Sequence, residues 1–245
     1  MPVSEKMMNI ALIGYGKMGK AIEEIALQRG HSISLAIDLH NAHKFNRENL
    51  AAADVAIEFT GPDSAYANIM KTLEYGVPVV CGSTGWLQHW EEVEAYCHNR
   101  QGAFLYASNF SVGVNIFFEI NKRLAALMAA QPDYEVTIEE THHTQKKDAP
   151  SGTAVSLADQ ITGRLDRKKK WASEWGNSPE ELVITSKRID PAAGIHTVTY
   201  SSAIDDIEIT HTAHNRTGFA TGAVLAAEFL QDKRGIFSMK DVLGL

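Results

Sequence analysis

The sequence predicts an α/β protein: a doubly wound parallel-sheet domain joined to an α+β unit with a mixed sheet. Three observations carry this. Between residues 8 and 107, short continuous apolar runs alternate with amphipathic stretches, the pattern of a sheet covered on both faces. A G-x-G-x-x-G string lies where the first apolar run meets the first amphipathic stretch. Beyond residue 180, three strand-like runs follow one another with no helix between them.

Taken in order, Met8–Ile13 reads as a buried strand and Lys17–Arg29 as a helix, with Met18, Ile22, Ile25 and Ala26 near helical spacing. Ser32–Ile37 and Val55–Phe59 are strands, Asp63–Tyr75 a helix, Val77–Cys81 a strand, Trp86–Asn99 a helix and Ala103–Ala107 a fifth strand. Val112–Ala130 then forms a long amphipathic helix, Tyr134–Thr141 alternates as a half-buried strand, and Ala154–Leu165 is helical. Leu182–Arg188, His196–Ser202 and Ile207–Thr212 are the successive strands. Thr217–Leu230 is an apolar helix able to close either domain, followed by a short tail. The charged stretch 166–180, with its basic run Arg167–Lys170, reads as a solvated surface loop.

Composition narrows the function. The chain has 245 residues, 44% hydrophobic and 22% charged, with a formal net charge of −7. This is an ordinary globular balance and disfavours a bulk electrostatic grip on nucleic acid or an anionic membrane. Two cysteines, Cys81 and Cys97, cannot build a multi-bridge framework, and no apolar run reaches the ~18 residues that span a bilayer. The expectation is a soluble cytoplasmic protein with no nucleic-acid or membrane partner.

In Gly14-Tyr15-Gly16-Lys17-Met18-Gly19, the first glycine permits a tight turn, the second lets the backbone approach a pyrophosphate, and the third allows close helix–strand packing. Asp38 ends the second strand, where a carboxylate accepts hydrogen bonds from a ribose 2′-OH. Strand, helix and acid together predict a Rossmann-type site for NADH and/or NADPH. Asp38 repels a 2′-phosphate and so favours NADH, while Lys17, His40 and Lys44 leave use of NADPH open. Thr60 and the Gly82-Ser83-Thr84 turn follow the third and fourth strands, where a cofactor's ribose and nicotinamide would lie.

The densest chemistry is Glu139–Ala154. His142 and His143 are adjacent, so on an extended chain they point to opposite faces. Lys146, Lys147 and Asp148 follow, and Pro150 precedes a helix start at Ser151, Gly152 and Thr153. Histidine moves protons near neutral pH, lysine holds an anion or donates a proton, and a helix N-terminus holds a carboxylate. The set suits a small, carboxylate-bearing substrate whose reaction needs hydride plus proton. No Cys or well-spaced His/Glu partner lies nearby in the sequence to make the histidine pair a metal site.

These residues resemble the 4-hydroxy-tetrahydrodipicolinate reductase (dihydrodipicolinate reductase) family of bacterial lysine and diaminopimelate synthesis. The matching blocks are the glycine string, Glu58-Phe59-Thr60, Gly82–Gly85, Ala107–Asn115, the His-His-x-x-Lys-x-Asp-Ala-Pro-Ser-Gly-Thr string, and the late blocks Glu208–His211 and Arg216–Gly222. The resemblance implies proton transfer by His142 and Lys146. It implies binding of a small dicarboxylate substrate by His143, Ser151, Gly152, Thr153 and Arg216, and nicotinamide contacts from Gly82–Thr84 and from Ala107, Ser108, Asn109 and Phe110. It further implies a dinucleotide domain formed by 1–111 and 217–245, a substrate and oligomerisation domain at 112–216, and a homotetramer. The chain departs from the family in a phosphate loop one residue shorter, with Lys17 for Arg, in Asp38 for Glu followed by Leu39, and in Asp190 for glycine.

Overall fold

The computed structural model describes residues 6–173, 178–215 and 217–245. In chain order the elements are β1 (Asn9–Ile13), α1 (Lys17–Gln28), β2 (Ser32–Ile37), α2 (Arg47–Leu50), β3 (Val55–Glu58), α3 (Pro62–Glu74), β4 (Val79–Cys81), α4 (Trp90–Asn99), β5 (Ala103–Tyr106) and α5 (Val112–Met128). They continue with β6 (Glu135–His142), α6 (Gly152–Thr162), β7 (Lys170–Ala172), β8 (Glu181–Arg188), β9 (Gly194–Ser201), β10 (Asp206–Ala213), α7 (Thr217–Leu230), β11 (Gly235–Phe237) and α8 (Met239–Leu243). The chain divides into two units, Met1–Val112 with Thr217–Leu245, and Gly113–Arg216.

The first unit is a six-stranded, wholly parallel sheet in the order β11-β5-β4-β3-β1-β2. One face buries Ile10, Leu12, Ile57 and Leu105 beneath α1 and α7; the other buries Ala11, Ile13, Val79 and Phe104 beneath α2, α3 and α4. Continuous burial along β1, β3 and β4 is the physical content of the apolar runs. Helix α7 packs on α1 and on β3, β4 and β5, burying Ala220, Ala223, Val224 and Ala227 there.

Several expected boundaries move for local reasons. β4 starts at Val79 rather than Val77 because Pro78 has no N–H to give the ladder, although its carbonyl accepts from Ala56. The helix expected from Trp86 begins as a 3-10 turn over Leu87–His89 and becomes α4 at Trp90. Three elements were not expected in this unit. Asn46 caps α2 through its side chain, Ser238 and Asp241 cap α8 reciprocally, and β11 adds an edge strand in what read as a tail.

The second unit is a mixed five-stranded sheet in the order β10-β9-β6-β8-β7. β9 runs antiparallel to both β10 and β6, and β8 runs parallel to β6 and β7. Helices α5 and α6 contribute to its apolar core. Cross-strand rows carry that core: Leu182 and Tyr200 flank Val136, and Ile184 and Val198 flank Ile138.

The solvated-loop expectation for 166–180 is corrected here. Lys168 is buried, with its ammonium bound to Glu135 and to the carbonyls of Pro179 and Glu181 at 2.9 Å each. Arg167 donates to the carbonyls of Met128, Ala129 and Tyr134, and β7 forms at Lys170. Arg167 and Lys168 thus serve as internal staples, while Lys169 and Lys170 are exposed as the solvated reading expects; 174–177 lie outside the described residues.

Candidate active site

In the first unit the glycine string is held by close approaches. Gly14 has φ +101°, and a Cβ there would lie 2.3 Å from the carbonyl oxygen of Phe59. A Cβ on Gly19 would lie 2.3 Å from the carbonyl oxygen of Gly14, so α1 can meet β1 only through glycine. Gly16 is different: it is the N-cap of α1, and a Cβ there meets nothing within 4 Å. That open space, at a helix N-terminus with no side-chain cap, fits a pyrophosphate. Lys17 is exposed in the first turn of α1, and Met18 packs partly on the core.

Gly14, Tyr15, Gly16, Asp38 and Thr60 line one cleft of about 610 Å³, together with Leu39, His40 and Pro62. Asp38 Oδ1 accepts from the amides of His40 (2.8 Å) and Asn41 (3.1 Å), which orients its carboxylate in a tight turn. Thr60 is fixed by Glu58, a residue the sequence reading gave no role of its own. This fully buried carboxylate accepts from the Thr60 amide at 3.0 Å, from the Thr60 hydroxyl, and from Cys81 Sγ at 3.2 Å. Burial and the neighbouring Glu58 carboxylate push the Cys81 thiol up, so it stays protonated.

The other expected cofactor residues sit at the ends of β4 and β5, outside that cleft. Gly82 gives way to the Phe59 ring, 2.1 Å from where its Cβ would be. Ser83 is buried and its carbonyl accepts from the Trp86 indole at 2.8 Å, while Thr84 is exposed. Ala107 is buried, Ser108 is exposed, and Asn109 Oδ1 accepts from the Ser111 amide at 2.9 Å. Phe110 turns its ring into the core, 5.5 Å from Phe59, so its side chain supports the neighbouring wall instead of facing a ligand.

In the second unit the site grows out of the sheet's inward face. Along β6 the buried positions are Val136, Ile138, Glu140 and His142; along β9 they are Gly194, His196, Val198 and Tyr200. The apolar rows thus end in polar ones. Glu140 lies between Ser186 and His196, and His142 pairs with Arg188. His142 is buried while His143 is partly exposed, as the two-face expectation requires.

Glu140 is fully buried and richly bonded. Oε1 accepts from Ser186 Oγ (2.8 Å), Arg188 (3.2 Å) and the Ser151 amide (3.1 Å); Oε2 shares that amide and faces His142 Nδ1 at 3.3 Å. Burial would raise its pKa, but the Ser151 and Ser186 donors, the neighbouring His142 and the Arg188 guanidinium hold it below the ordinary carboxylate range. Burial lowers the pKa of His142 and outweighs the attraction of Glu140; burial and the neighbouring His142 push His196 down to about 4.

Ser151 caps α6 through Oγ, accepting from the Ala154 amide at 3.3 Å and meeting His196 Nε2 at 3.1 Å. With its hydroxyl and amide both engaged and only 2% exposure, Ser151 orders the helix start instead of facing a substrate. Gly152 is open, with nothing within 4 Å of a Cβ, and Thr153 is partly exposed. Lys146 Nζ pairs with Asp148 at 2.8 Å, and this holds the Asp148 carboxyl below its usual range. Arg188 pins the same loop, donating to the carbonyls of Lys146 (3.2 Å) and Asp148 (2.6 Å). Asp190 accepts from the Thr144 amide (3.1 Å) and hydroxyl (2.7 Å), giving this departure a structural role. Arg216 lies outside the described residues.

The sequence offers no nearby partner for the adjacent histidines, and among the described residues folding brings partners to His142 alone: side-chain N and O atoms of Glu140, His142 and His196 lie within 4.8 Å of one another. Arg188 already supplies a cation to that carboxylate, so the trio reads as a proton-bearing network. Period-2 alternation on β6 was the available signal, because it places Glu140 and His142 on the face of Val136 and Ile138.

Comparison with known proteins gives a consistent result. The family model for the dihydrodipicolinate reductase N-terminus matches residues 8–110, and that for its C-terminus matches residues 113–243. A 4-hydroxy-tetrahydrodipicolinate reductase from Christiangramia forsetii is 50% identical over 238 residues, covering 96% of this chain and 98% of the relative. One from Methanosarcina acetivorans is 38% identical over 249 residues, covering 99% and 91%. In fold, the chain is similar to a dipicolinate-bound dihydrodipicolinate reductase from Paenisporosarcina sp. TG-14, with a TM-score of 0.77, 22% identity, and coverage of 96% and 99%.

Proposed function

The chain belongs to the dihydrodipicolinate reductase family, and from that premise we propose how its own residues carry out the reaction. It is an NAD(P)H-dependent 4-hydroxy-tetrahydrodipicolinate reductase of lysine and diaminopimelate biosynthesis. The hydroxylated substrate loses water, and the resulting cyclic, unsaturated dicarboxylate gains one hydride and one proton to become tetrahydrodipicolinate. The nicotinamide supplies the hydride when bound.

Lys146 gives the proton to the reduced carbon. The observation that carries this reading is the anchoring of its loop: Arg188 holds the carbonyls on both sides of the Lys146–Asp148 pair, so the ammonium is offered from a fixed backbone. His142 takes and returns a proton at the substrate. His143 and the amides of Gly152 and Thr153, at the N-terminus of α6, hold the substrate carboxylates, with Arg216 as a further cation. Gly14–Gly19, Asp38 and Thr60 hold the dinucleotide, with the Gly82–Thr84 and Ala107–Phe110 turns beside its nicotinamide, and the Asp38 carboxylate favours NADH. The first unit is thus the dinucleotide domain and the second the substrate and oligomerisation domain.

The second unit also supports a homotetramer built through its sheet: β10 is an edge strand, with Ile207 38% exposed and Ile204, just before it, 90% exposed. Both cysteines are free and buried, in keeping with the reducing cytoplasm, and among the described residues no helix is long and apolar enough to cross a membrane.

The test follows the loss of NADH or NADPH absorbance with synthase-generated substrate. Lys146→Ala and His142→Ala should each lower turnover by roughly 10²–10⁴-fold, the usual share of a positioned acid or base, with cofactor affinity little changed. Unchanged turnover in both variants overturns the assignment. Tight cofactor binding with no absorbance loss in the wild type points instead to a nucleotide-sensing module.

A further inference from the structure

We infer that Glu140 is a positioning residue for the reaction: it holds the Nδ1 edge of His142, so that Nε2 is the nitrogen offered to the substrate. The inference deepens the proton-transfer role proposed above for His142 and rests on it.

The carboxylate is locked before it meets the histidine. Three donors from two elements fix Oε1: the Ser186 hydroxyl and the Arg188 guanidinium from β8, and the Ser151 amide at the start of α6. Oε2 shares the Ser151 amide and otherwise faces the two imidazoles, 3.3 Å from His142 Nδ1 and 3.8 Å from His196 Nε2. His142 Nδ1 is fully buried, and in the present geometry its contact with Oε2 falls short of a hydrogen bond. Catalytic hydrogen bonds are often this long before a substrate binds and tighten afterwards. An N–H at Nδ1 satisfies both groups; a bare Nδ1 would set a lone pair against a buried carboxylate.

At the opposite edge of the ring, a Cβ on Gly194 would lie 3.2 Å from His142 Nε2, a tight contact, so the glycine leaves that nitrogen more room than a larger residue would. His196 does not compete for the proton. Its ring packs edge-on at 5.1 Å from His142, and its Nε2 is already in contact with Ser151 Oγ. The charged and titratable groups facing His142 are Glu140 on its own strand, Lys146 and Asp148 on the following loop, Arg188 on β8 and His196 on β9, with His211 on β10 facing His196. Glu140 is therefore positioned to stabilise the imidazolium formed when Nε2 takes a proton.

The test uses the full-length enzyme labelled with 15N-histidine, its His142 signals assigned by their loss in His142→Gln. The wild type should show the Nδ1–H tautomer with Nε2 bare; an Nε2–H tautomer overturns the inference without any Glu140 variant having to fold. In Glu140→Gln the amide can donate to Nδ1. The tautomer should then switch, kcat should fall roughly 10–100-fold, a part of what a positioned acid or base supplies, the pH profile of kcat should shift, and KM for NADH should stay. Ser186→Ala, which frees one anchor and keeps the charge, should give a smaller shift in the same direction. A Glu140→Gln enzyme with wild-type tautomer, kcat and pH profile sinks the positioning role. A fully active His142→Gln enzyme sinks the underlying assignment of His142 instead, so the two failures are distinct.

Discussion

The Cβ that Gly222 lacks would lie 1.7 Å from the carbonyl oxygen of Phe110. Helix α7 and the segment after β5 therefore touch backbone to backbone, more than a hundred residues apart in sequence. An alanine in mid-helix is ordinarily worth ~1 kcal/mol over glycine. Here overpacking, typically ~1–3 kcal/mol and more where backbone cannot yield, wins. Gly222→Ala should lower the urea midpoint of unfolding, while Gly16→Ala, with nothing within 4 Å of its Cβ, should leave the midpoint unchanged and weaken NADH binding. Equal midpoints for wild type and Gly222→Ala would show that α7 shifts without cost.

Lys168 offers a second contrast. Its ammonium is buried, but its carboxylate partner Glu135 is 54% exposed. Lys168→Met strands the carbonyls of Pro179 and Glu181, and an unsatisfied buried polar group costs ~1–3 kcal/mol. Glu135→Gln only removes a charge that water can replace, worth under about 1 kcal/mol. Chemical denaturation of both variants should therefore rank Lys168→Met well below Glu135→Gln; the reverse order would make the ion pair the stabilising element.

This contrast also shows where sequence reading stops. The parallel sheet was legible because β1, β3 and β4 are continuous apolar runs, and the glycine string because its spacing follows a strand. β7 and β11 were not, being three residues each and hydrogen-bonded only at the sheet edges. Lys168 looks like any solvated lysine until Glu135 and two carbonyls surround it. In the site, His142 and Lys146 share one stretch of chain, whereas Glu140 meets Ser186, Arg188 and His196 only through cross-strand pairing. That register depends on the strand order, which no local pattern specifies.

Acid sensitivity should trace in part to Glu228. Burial raises its pKa, but a bidentate Arg29 contact at 2.8 Å on each oxygen and His31 Nε2 at 2.8 Å more than offset this and hold the carboxyl low. A depressed folded pKa gives stability that is complete above the ordinary carboxylate value of ~4.3 and is lost as pH falls towards the folded value. Glu228→Gln should thus be less stable at neutral pH, towards the lower end of the ~3–5 kcal/mol for breaking a buried pair, and the gap should narrow below about pH 4. Melting temperatures of both proteins across pH 3–8 decide it; a constant gap would remove Glu228 from the acid limb.

Cofactor choice should follow the charge of Asp38 and not its shape. Its Oδ1 serves the amides of His40 and Asn41, and an asparagine keeps that acceptor. Asp38→Asn therefore preserves the turn and removes the charge that repels a 2′-phosphate. Like charges ~4 Å apart cost ~1 kcal/mol in water and ~4 kcal/mol near a protein surface, and ~1.4 kcal/mol is tenfold. The ratio of kcat/KM for NADPH over NADH should rise by about tenfold or more in Asp38→Asn. Asp38→Ala loses turn and charge together, so it should also lose NADH efficiency that the asparagine variant keeps. If the ratio stays fixed in Asp38→Asn, discrimination lies with His40, Lys44 or Lys17, and the carboxylate serves only to shape the loop.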